Sequence, residues 1–419
     1  MRINYGRSFI IKLIAFCLTF STGNAISGYS GEGIRIKFIN CTFENASPLS
    51  WIIQGDTAIK VTLLPDYERE SLNRQTDHWY FRLEAEKGTR IKLIISKLVP
   101  DVYNGKEAAS WWNFRNDISC YISYDRKLWE AIQTSRLPGM ELMIDFIIKE
   151  DSAYIVRMPP YTISDLENLK KRISASKLVR IYNIGMTVEK RPLEIIQLGN
   201  QDAPNQVIIR ARAHPWEAGG NWVAEGLINE FIDRDSRQWQ ETFCVYIMPM
   251  ANKDGVARGM TRFNLHGRDL NRNWDKEADP VLCPEKYALE NFIQGLTDKG
   301  IKPALGIDLH NDDGGGIIPA THYKDDAKFR ENMELFEKLM RKHTSFSENV
   351  RYSWKTDGQA DANVSFENGL YERYGIEALV YELNANWIGT LNKMPSQNDW
   401  IEVGKNLNQV FYEYLKSKR

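Results

Sequence analysis

The sequence predicts an α/β domain, with a mixed and mostly parallel sheet flanked by helices, preceded by a small all-β sandwich domain. From about residue 30 to 150, apolar residues alternate with polar ones, which is the period of strands with one buried face. Further along, short apolar runs alternate with helical stretches, a pattern typical of parallel sheets with crossover helices. We place the boundary near residues 150–165, which gives domains at 26–153 and 154–419.

The composition is that of a globular protein. Of the 419 residues, 43% are hydrophobic and 26% are charged, and the formal net charge is -1. This apolar content excludes a disordered chain. The near-neutral charge provides no global basic field for phosphate backbones, so we expect no nucleic acid partner. The composition does not indicate the oligomeric state.

Residues 1–25 have the layout of a secretory signal peptide. Two arginines precede an apolar stretch from Phe9 to Phe20, and small residues follow up to Ala25, which is the expected cleavage site. An uncleaved membrane anchor is the alternative, but the apolar stretch is shorter than the ~20 residues that a span needs. We therefore expect a secreted or periplasmic protein without stable membrane insertion after cleavage.

The sandwich domain contains two segments with strong strand character. In HWYFRLEAEKGTRIKLIISKL, two alternating runs flank a turn at Glu86–Thr89, which predicts a β-hairpin. The aromatic-rich tract WWNFRNDISCYISYDRKLW continues the strand-like composition. Neither segment carries a recognisable set of metal ligands or a nucleophile.

The α/β domain is predicted from four apolar runs and one helical pattern. VIIRARA, FCVYIMPM, ALGIDLH and ALVYEL have the composition of buried strands. Between the first two, NWVAEGLINEFI has apolar residues at helical spacing, which predicts a crossover helix on the sheet. Four cysteines remain after the leader, at Cys41, Cys120, Cys244 and Cys283. Their spacing does not determine whether they pair.

Three residues form a candidate zinc site. His214 and Glu217 are three apart in RAHPWEAGGNW, just after a predicted strand, so both can reach one cation. An imidazole and a carboxylate suit zinc, and a catalytic site needs a third protein ligand. That ligand should come from another strand end, because sites in α/β sheets lie at the strands' carboxyl ends. His310 is at the end of ALGIDLH; the alternative is that it is an ordinary surface histidine.

Two further segments supply what a metal-dependent hydrolase needs, a base and groups that bind anions. Glu382 lies in the apolar strand ALVYEL, where a carboxylate is costly unless it has a function or a partner. The alternative is that Glu382 pairs with a nearby arginine. The loop MTRFNLHGRDLNRNWD carries Arg262, Arg268, Asn271 and Arg272. Guanidinium groups suit carboxylates and oxyanions, although such a loop can also be merely solvated.

Taken in order, HPWE, NKDG, GRDLNRNWD, the histidine after a strand and the glutamate of YEL resemble the M14 metallocarboxypeptidase family. The resemblance covers about residues 155–419. The preceding domain and the linker MPPYTISDL resemble the cytosolic carboxypeptidase branch, whose members place a small β-sandwich before the catalytic domain.

The resemblance implies a role for each matching residue. It implies that His214, Glu217 and His310 bind one Zn²⁺ per chain and that Glu382 is the base that activates water. Arg262 matches the arginine that polarises the scissile carbonyl. The pair that grips the substrate's terminal carboxylate corresponds to Asn271 and Arg272. Asp269 matches the carboxylate that orients the first zinc histidine, a role that a ligating imidazole ordinarily requires.

The predicted function is zinc-dependent hydrolysis of an amide bond, with removal of C-terminal residues from peptides. A zinc amidase or deacylase, or a cell-wall peptide hydrolase, would use the same residues, and an inactive binding protein is a further alternative. The sequence departs from the family at one point, because DGQADANVSFENG lacks the tyrosine that often precedes the catalytic glutamate. The signal peptide also departs from the cytosolic location of the branch, so deglutamylation is not assumed.

Overall fold

The computed structural model describes residues 35–69, 75–98, 118–323, 326–346, 348–352, 354–355 and 364–418. All of them belong to one compact unit that spans Ile34–Arg419. The predicted signal peptide, the first part of the aromatic-rich tract and most of the segment without the tyrosine lie outside the described residues.

The sandwich consists of two five-stranded sheets. The first has the order β1-β4-β10-β6-β7, with strands Ile36–Asn40, Tyr80–Ala85, Ser152–Val156, Cys120–Ser123 and Glu130–Ile132. The second has the order β2-β3-β5-β9-β8, with strands Leu49–Gln54, Ala58–Leu63, Arg90–Ser96, Glu141–Ile147 and Thr134–Leu137. Buried apolar residues from both sheets form one core, as the period-two pattern predicts.

The predicted hairpin is wrong in its pairing. β4 pairs with β1 and β10, whereas β5 pairs with β3 and β9. The turn at Glu86–Thr89 therefore passes from one sheet to the other. Phe81 and Leu93, for example, are both fully buried in the shared core. Alternation shows which face of a strand is buried but does not determine which strand lies beside it.

The α/β part contains a seven-stranded sheet of order β11-β12-β14-β13-β15-β19-β16. In that order its strands are Val179–Met186, Pro192–Leu198, Phe243–Met248, Asn205–Ala211, Leu305–Asp312, Ala378–Asn384 and Gly316–Pro319. The four strands β14, β13, β15 and β19 are parallel, and the strands outside them pair antiparallel. A short pair, β17 and β18, joins His322–Tyr323 to Trp354–Lys355. The four predicted strands are the four central ones.

Helices cover both faces of this sheet. The helices α1 to α8 are Ile163–Ile173, Gly219–Asp233, Arg237–Gln240, Lys253–Ala257, Pro284–Thr297, Ala327–His343, Phe366–Tyr374 and Gln397–Ser417. α2, α6 and α8 pack into the core on one face, while α5 and α7 pack into the core on the other. α2 coincides with the predicted crossover helix. In the described part of the chain, none of the helices has the length and apolar character needed to cross a bilayer.

The four cysteines among the described residues are free thiols, and Cys120, Cys244 and Cys283 are buried. Burial raises the pKa of Cys244 to about 12, as expected for a thiol in the core. The cysteines therefore add no covalent link to this fold.

Candidate metal centre

His214 and Glu217 lie on a tight turn directly after β13. The Glu217 N–H donates to the His214 carbonyl at 3.3 Å, so one turn brings both side chains to the same side. Arg212 begins the turn with a φ of 61°, a conformation that is costly for a residue with a side chain. Its buried guanidinium donates to the Pro215 carbonyl at 2.7 Å and to Asn221 Oδ1 at 2.9 Å. These contacts fix the turn between strand and helix.

His310 reaches the same point from the neighbouring strand β15. Its Nδ1 lies 2.7 Å from Glu217 Oε2, and His214 Nδ1 lies 2.8 Å from Glu217 Oε1. The possible ligand atoms of the three residues all lie within 4.8 Å of one another, and all three side chains are buried. The structure therefore brings together the three ligands predicted from sequence, at the carboxyl ends of adjacent parallel strands.

The second ring nitrogen of each histidine faces a carboxylate. His214 Nε2 lies 3.1 Å from Asp269 Oδ1, and His310 Nε2 lies 2.6 Å from Asp308 Oδ2. An imidazole that donates Nε2–H to a carboxylate presents Nδ1 as a metal ligand. Two imidazole nitrogens and one carboxylate are the protein donors of a catalytic zinc site with an open position. The residues present thus fit zinc.

The pKa values of Glu217 and His310 depend strongly on the charged groups beside them. Burial opposes ionisation of Glu217, but the two imidazoles outweigh it and hold the pKa of this carboxyl at about 2. Burial also opposes a charge on His310, yet the pKa of His310 is raised because Asp308 and Glu217 lie beside it. A cation is therefore strongly favoured between these groups.

Asp269 connects His214 to Arg262. Besides His214, its Oδ2 accepts a hydrogen bond from Arg262 Nε at 2.9 Å and forms an ion pair with Arg262 Nη2 at 2.8 Å. Arg262 is only 4% exposed. Although burial of Asp269 opposes charge, Arg262 and His214 hold the pKa of its carboxyl well below the ordinary range. Asp269 therefore stays ionised between two cationic or donor groups, as its predicted role requires.

Asn271 and Arg272 lie beside this pair. Asn271 Oδ1 accepts from Arg210 Nη2 and from the Phe366 N–H, both at 2.9 Å. Because the oxygen is held in this way, the amide Nδ2 is the group of Asn271 that can donate to a substrate. Arg272 is half-buried, and its Nη1 donates to the Asn271 carbonyl at 2.7 Å.

A cavity of about 250 Å³ adjoins these side chains. Arg268, Asp269, Arg272, Lys276 and Lys286 are among its lining residues. Arg268, the remaining arginine of the predicted loop, is thus close to the site.

Glu382 lies next to His310 across the sheet, where the two residues are register partners on parallel strands. Partners in register point to the same face. Its Oε2 is buried and has no hydrogen-bond partner among the described residues. Burial, with the nearby charge of Asp312, raises the pKa of Glu382 well above its ordinary range. Among the described residues, Glu382 forms no ion pair with an arginine, which was the alternative, and Arg351 pairs with Asp312 at 2.9 Å.

Two buried residues of the centre were not predicted from sequence. Asp308 orients His310, and Arg210 donates to Asp308 Oδ1 at 2.8 Å and to the Leu270 carbonyl at 2.8 Å. Asp308 could have been predicted from ALGIDLH, because it lies two residues before His310 and residues two apart in a strand point to the same face. Arg210, a charged residue within the apolar run VIIRARA, carried a signal like that of Glu382, but its partners are distant in sequence.

Comparison with known proteins agrees with this geometry. The family model of the zinc carboxypeptidases, Peptidase M14, matches residues 164–387. An uncharacterised protein of Zymomonas mobilis is 25% identical over 82% of this chain and 87% of its own length. Cytosolic carboxypeptidase 2 of Xenopus tropicalis is 27% identical over 53% of this chain, but the match spans only 26% of that protein.

A solved structure extends the likeness to the whole fold. The metallo-carboxypeptidase from Burkholderia cenocepacia superposes with a TM-score of 0.78 and 22% identity, covering 91% of this chain and 99% of the other. Since the family model matches more than half of the 419 residues, the chain belongs to the zinc carboxypeptidase family. At the level of the family, the predicted zinc-dependent hydrolysis of a peptide bond is confirmed.

Proposed function

We propose that this protein is an exopeptidase that removes C-terminal residues from peptides, with one zinc ion held by His214, Glu217 and His310. The observation that carries the proposal is the convergence of these ligand atoms within 4.8 Å. Both remaining imidazole nitrogens face carboxylates, which supports a metal site rather than a chance cluster.

Glu382 acts as the general base and then as the general acid. Zinc, when bound, supplies a Lewis acid that polarises the scissile carbonyl and makes water a better nucleophile at neutral pH. Glu382 Oε2, buried and without a partner among the described residues, takes a proton from the attacking water. It then returns this proton to the leaving nitrogen. Its raised pKa suits a group that must both accept and release a proton near neutral pH.

Arg262 stabilises the negative charge that develops on the carbonyl oxygen. Its Nε and Nη2 both bind Asp269, and a guanidinium has five N–H donors. Donors therefore remain for the substrate, while Asp269 fixes the plane of the group. Preorganised donors of this kind act on the transition state more than on the substrate.

Asn271 and Arg272 bind the substrate's terminal carboxylate. Asn271 presents Nδ2 because its Oδ1 is held by Arg210 and Phe366, and Arg272 supplies a cationic fork. When the substrate's terminal carboxylate is held there, its last peptide bond is the one presented to Glu382 and the metal ligands.

The carboxylate requirement provides the test. We expect the purified protein to trim a peptide with a free C-terminus and to leave the matched C-terminal carboxamide intact, when both are followed by mass spectrometry. Arg272→Ala should raise KM for the free acid without changing the products. Equal turnover of acid and carboxamide would favour an amidase over an exopeptidase.

We further propose that the mature protein is secreted or periplasmic. The charged, apolar and small-residue order of residues 1–25 supports this location. Fractionation of the producing cells, with sequencing of the mature N-terminus, tests it: a start at Ile26 agrees, whereas an intact N-terminus on cytoplasmic protein would contradict it.

A further inference from the structure

The loop that carries Arg262 is held by a carboxylate of the sandwich. Asp66 follows β3 and is partly buried. Its Oδ2 accepts from the backbone N–H groups of Thr261 at 3.1 Å, Arg262 at 2.6 Å and Phe263 at 3.1 Å. Its Oδ1 also accepts from Thr261, at 3.0 Å. Three consecutive N–H groups thus converge on one side chain that lies almost 200 positions earlier in the sequence.

These N–H groups belong to a segment outside the helices and strands, so they need an acceptor from elsewhere. A carboxylate is acceptor-only and can accept up to about four hydrogen bonds, which suits it to this task. The carbonyl groups of the segment are engaged as well. Thr261 O accepts from the N–H of Trp216, which lies between His214 and Glu217 in the sequence, at 3.2 Å. Phe263 O accepts from Asn252 Nδ2 at 3.0 Å.

Two glycines allow the sandwich to approach this loop closely. Gly259 and Gly267 have φ values of 63° and 72°. A Cβ at Gly259 would lie 2.0 Å from the Ala46 carbonyl oxygen, and one at Gly267 would lie 2.8 Å from the Arg69 backbone nitrogen. Arg69 N–H also donates to the Gly267 carbonyl at 3.0 Å. The loop therefore contacts the sandwich on both sides of the Asp66 contact.

We propose that Asp66 is a positioning residue for the hydrolytic reaction, which sets the backbone of Arg262 so that its guanidinium meets Asp269 and the substrate carbonyl. The inference rests on the function proposed above for Arg262. It gives the sandwich a part in catalysis, because a side chain of this domain holds the backbone of the segment that carries Arg262. A contact that only stabilises the junction would not act through Arg262.

Asp66→Asn is the first variant to measure. It replaces one acceptor oxygen by an NH₂ group that faces N–H donors, so the loop must shift. Displacement of a catalytic group by about 1 Å can cost on the order of 100-fold in rate. We expect kcat to fall roughly 10- to 100-fold with little change in KM, and zinc content to stay at the wild-type level. Asp145→Asn is the matched control, because among the described residues Asp145 binds only the exposed Arg90 of the sandwich.

A double-mutant cycle with Arg262→Ala separates positioning from stability. If Asp66 acts through Arg262, Asp66→Asn costs little further activity once Arg262 is alanine. An additive loss in the double variant, or a folded Asp66→Asn protein with wild-type kcat, overturns the inference. Should Arg262→Ala itself leave kcat unchanged, the proposed role of Arg262 fails instead.

Asp66→Glu keeps the proposal testable if Asp66→Asn does not fold. It retains an acceptor-only carboxylate but moves it by one methylene group, so we expect a folded protein with a smaller loss of kcat, again absent in the Arg262→Ala background. Wild-type kcat for Asp66→Glu, or a loss that persists without Arg262, overturns the inference in this form of the experiment.

Discussion

At the scale of single residues, the centre depends on two carboxylates that face the second ring nitrogens of the histidines. Asp269 and Asp308 each hold one imidazole, and each is in turn held by a buried arginine, Arg262 or Arg210. The ligand geometry is thus fixed by two ion pairs behind the histidines. Groups in such positions commonly affect metal affinity as well as orientation.

Asp308→Ala should weaken zinc binding by about 10- to 100-fold, because His310 loses the acceptor that fixes its ring and Arg210 is left with an unpaired buried charge. Competition with a chromogenic chelator measures this affinity. Asp145→Asn serves as the control, with an unchanged zinc affinity expected. Wild-type affinity in Asp308→Ala would show that the ring of His310 is held by other contacts.

Glu285 is not one of the candidate metal ligands, and it gives the protein a pH-dependent stability. Its side chain is 1% exposed, and burial raises the pKa of Glu285 to about 7. The folded protein therefore keeps this proton between about pH 4.5 and 7, where the unfolded chain has lost it. The stabilising contribution is complete below about pH 4.5 and is lost as the pH rises towards 7.

Glu285→Gln removes this ionisation. Relative to wild type, the variant should gain on the order of 3 kcal/mol in unfolding free energy between pH 5 and pH 8. Urea unfolding of both proteins at equal zinc content measures the difference. A difference that does not change with pH would mean that Glu285 ionises at its ordinary pKa.

At the scale of elements, α2 and α8 approach so closely that neither tolerates a side chain at the crossing. A Cβ at Gly226 would lie 2.1 Å from the Ile401 carbonyl oxygen, and one at Gly404 would lie 2.0 Å from that of Val223. By contrast, Gly295 in α5 has nothing within 4 Å of the corresponding position.

Gly226→Ala and Gly295→Ala are therefore expected to have opposite effects. The first forces the helices apart and should destabilise the protein by about 1–3 kcal/mol or more. The second reduces the freedom of the unfolded chain and should stabilise by about 0.5–1 kcal/mol. Thermal unfolding of the two variants checks both signs. Destabilisation by both would mean that helix packing at Gly226 is not the cause.

The central strands and α2 could be predicted because each carries its own periodicity. Sheet partners could not: the alternation in β4 and β5 specifies two buried faces but fits a hairpin and two facing sheets equally well. Four residues of the site could be predicted because they lie in or beside recognisable apolar runs: His214, Glu217, His310 and Glu382. The roles of Asp66 and of Arg210, which lies within VIIRARA, could not be predicted, because they arise from contacts with residues far away in the chain.

At the scale of the whole molecule, the sandwich and the α/β part share polar contacts at several places, and two of these adjoin the centre. Asp66 binds the Arg262 loop. On the other side, Ser119 Oγ donates to the Ala385 carbonyl at 2.7 Å, and the fully buried Arg157 donates to Asn386 Oδ1 at 2.7 Å. Asn386 follows the strand of Glu382 closely. Both walls of the centre are thus connected to the first domain.

We therefore expect the two parts to unfold together. Separation would leave Arg157 Nη2 and several loop N–H groups without acceptors, so a partly unfolded form is costly. Differential scanning calorimetry should give one transition, with equal calorimetric and van't Hoff enthalpies. Two resolved transitions would show that the sandwich is an independent module.

The central claim is that Glu382 drives hydrolysis at a zinc site formed by His214, Glu217 and His310. The most direct measurement compares C-terminal trimming of one peptide by wild type and Glu382→Gln at matched zinc content, followed by mass spectrometry. We predict that the variant retains zinc while its rate falls by about 100-fold or more. Undiminished trimming by the variant, or trimming by wild type after complete zinc removal, would contradict it.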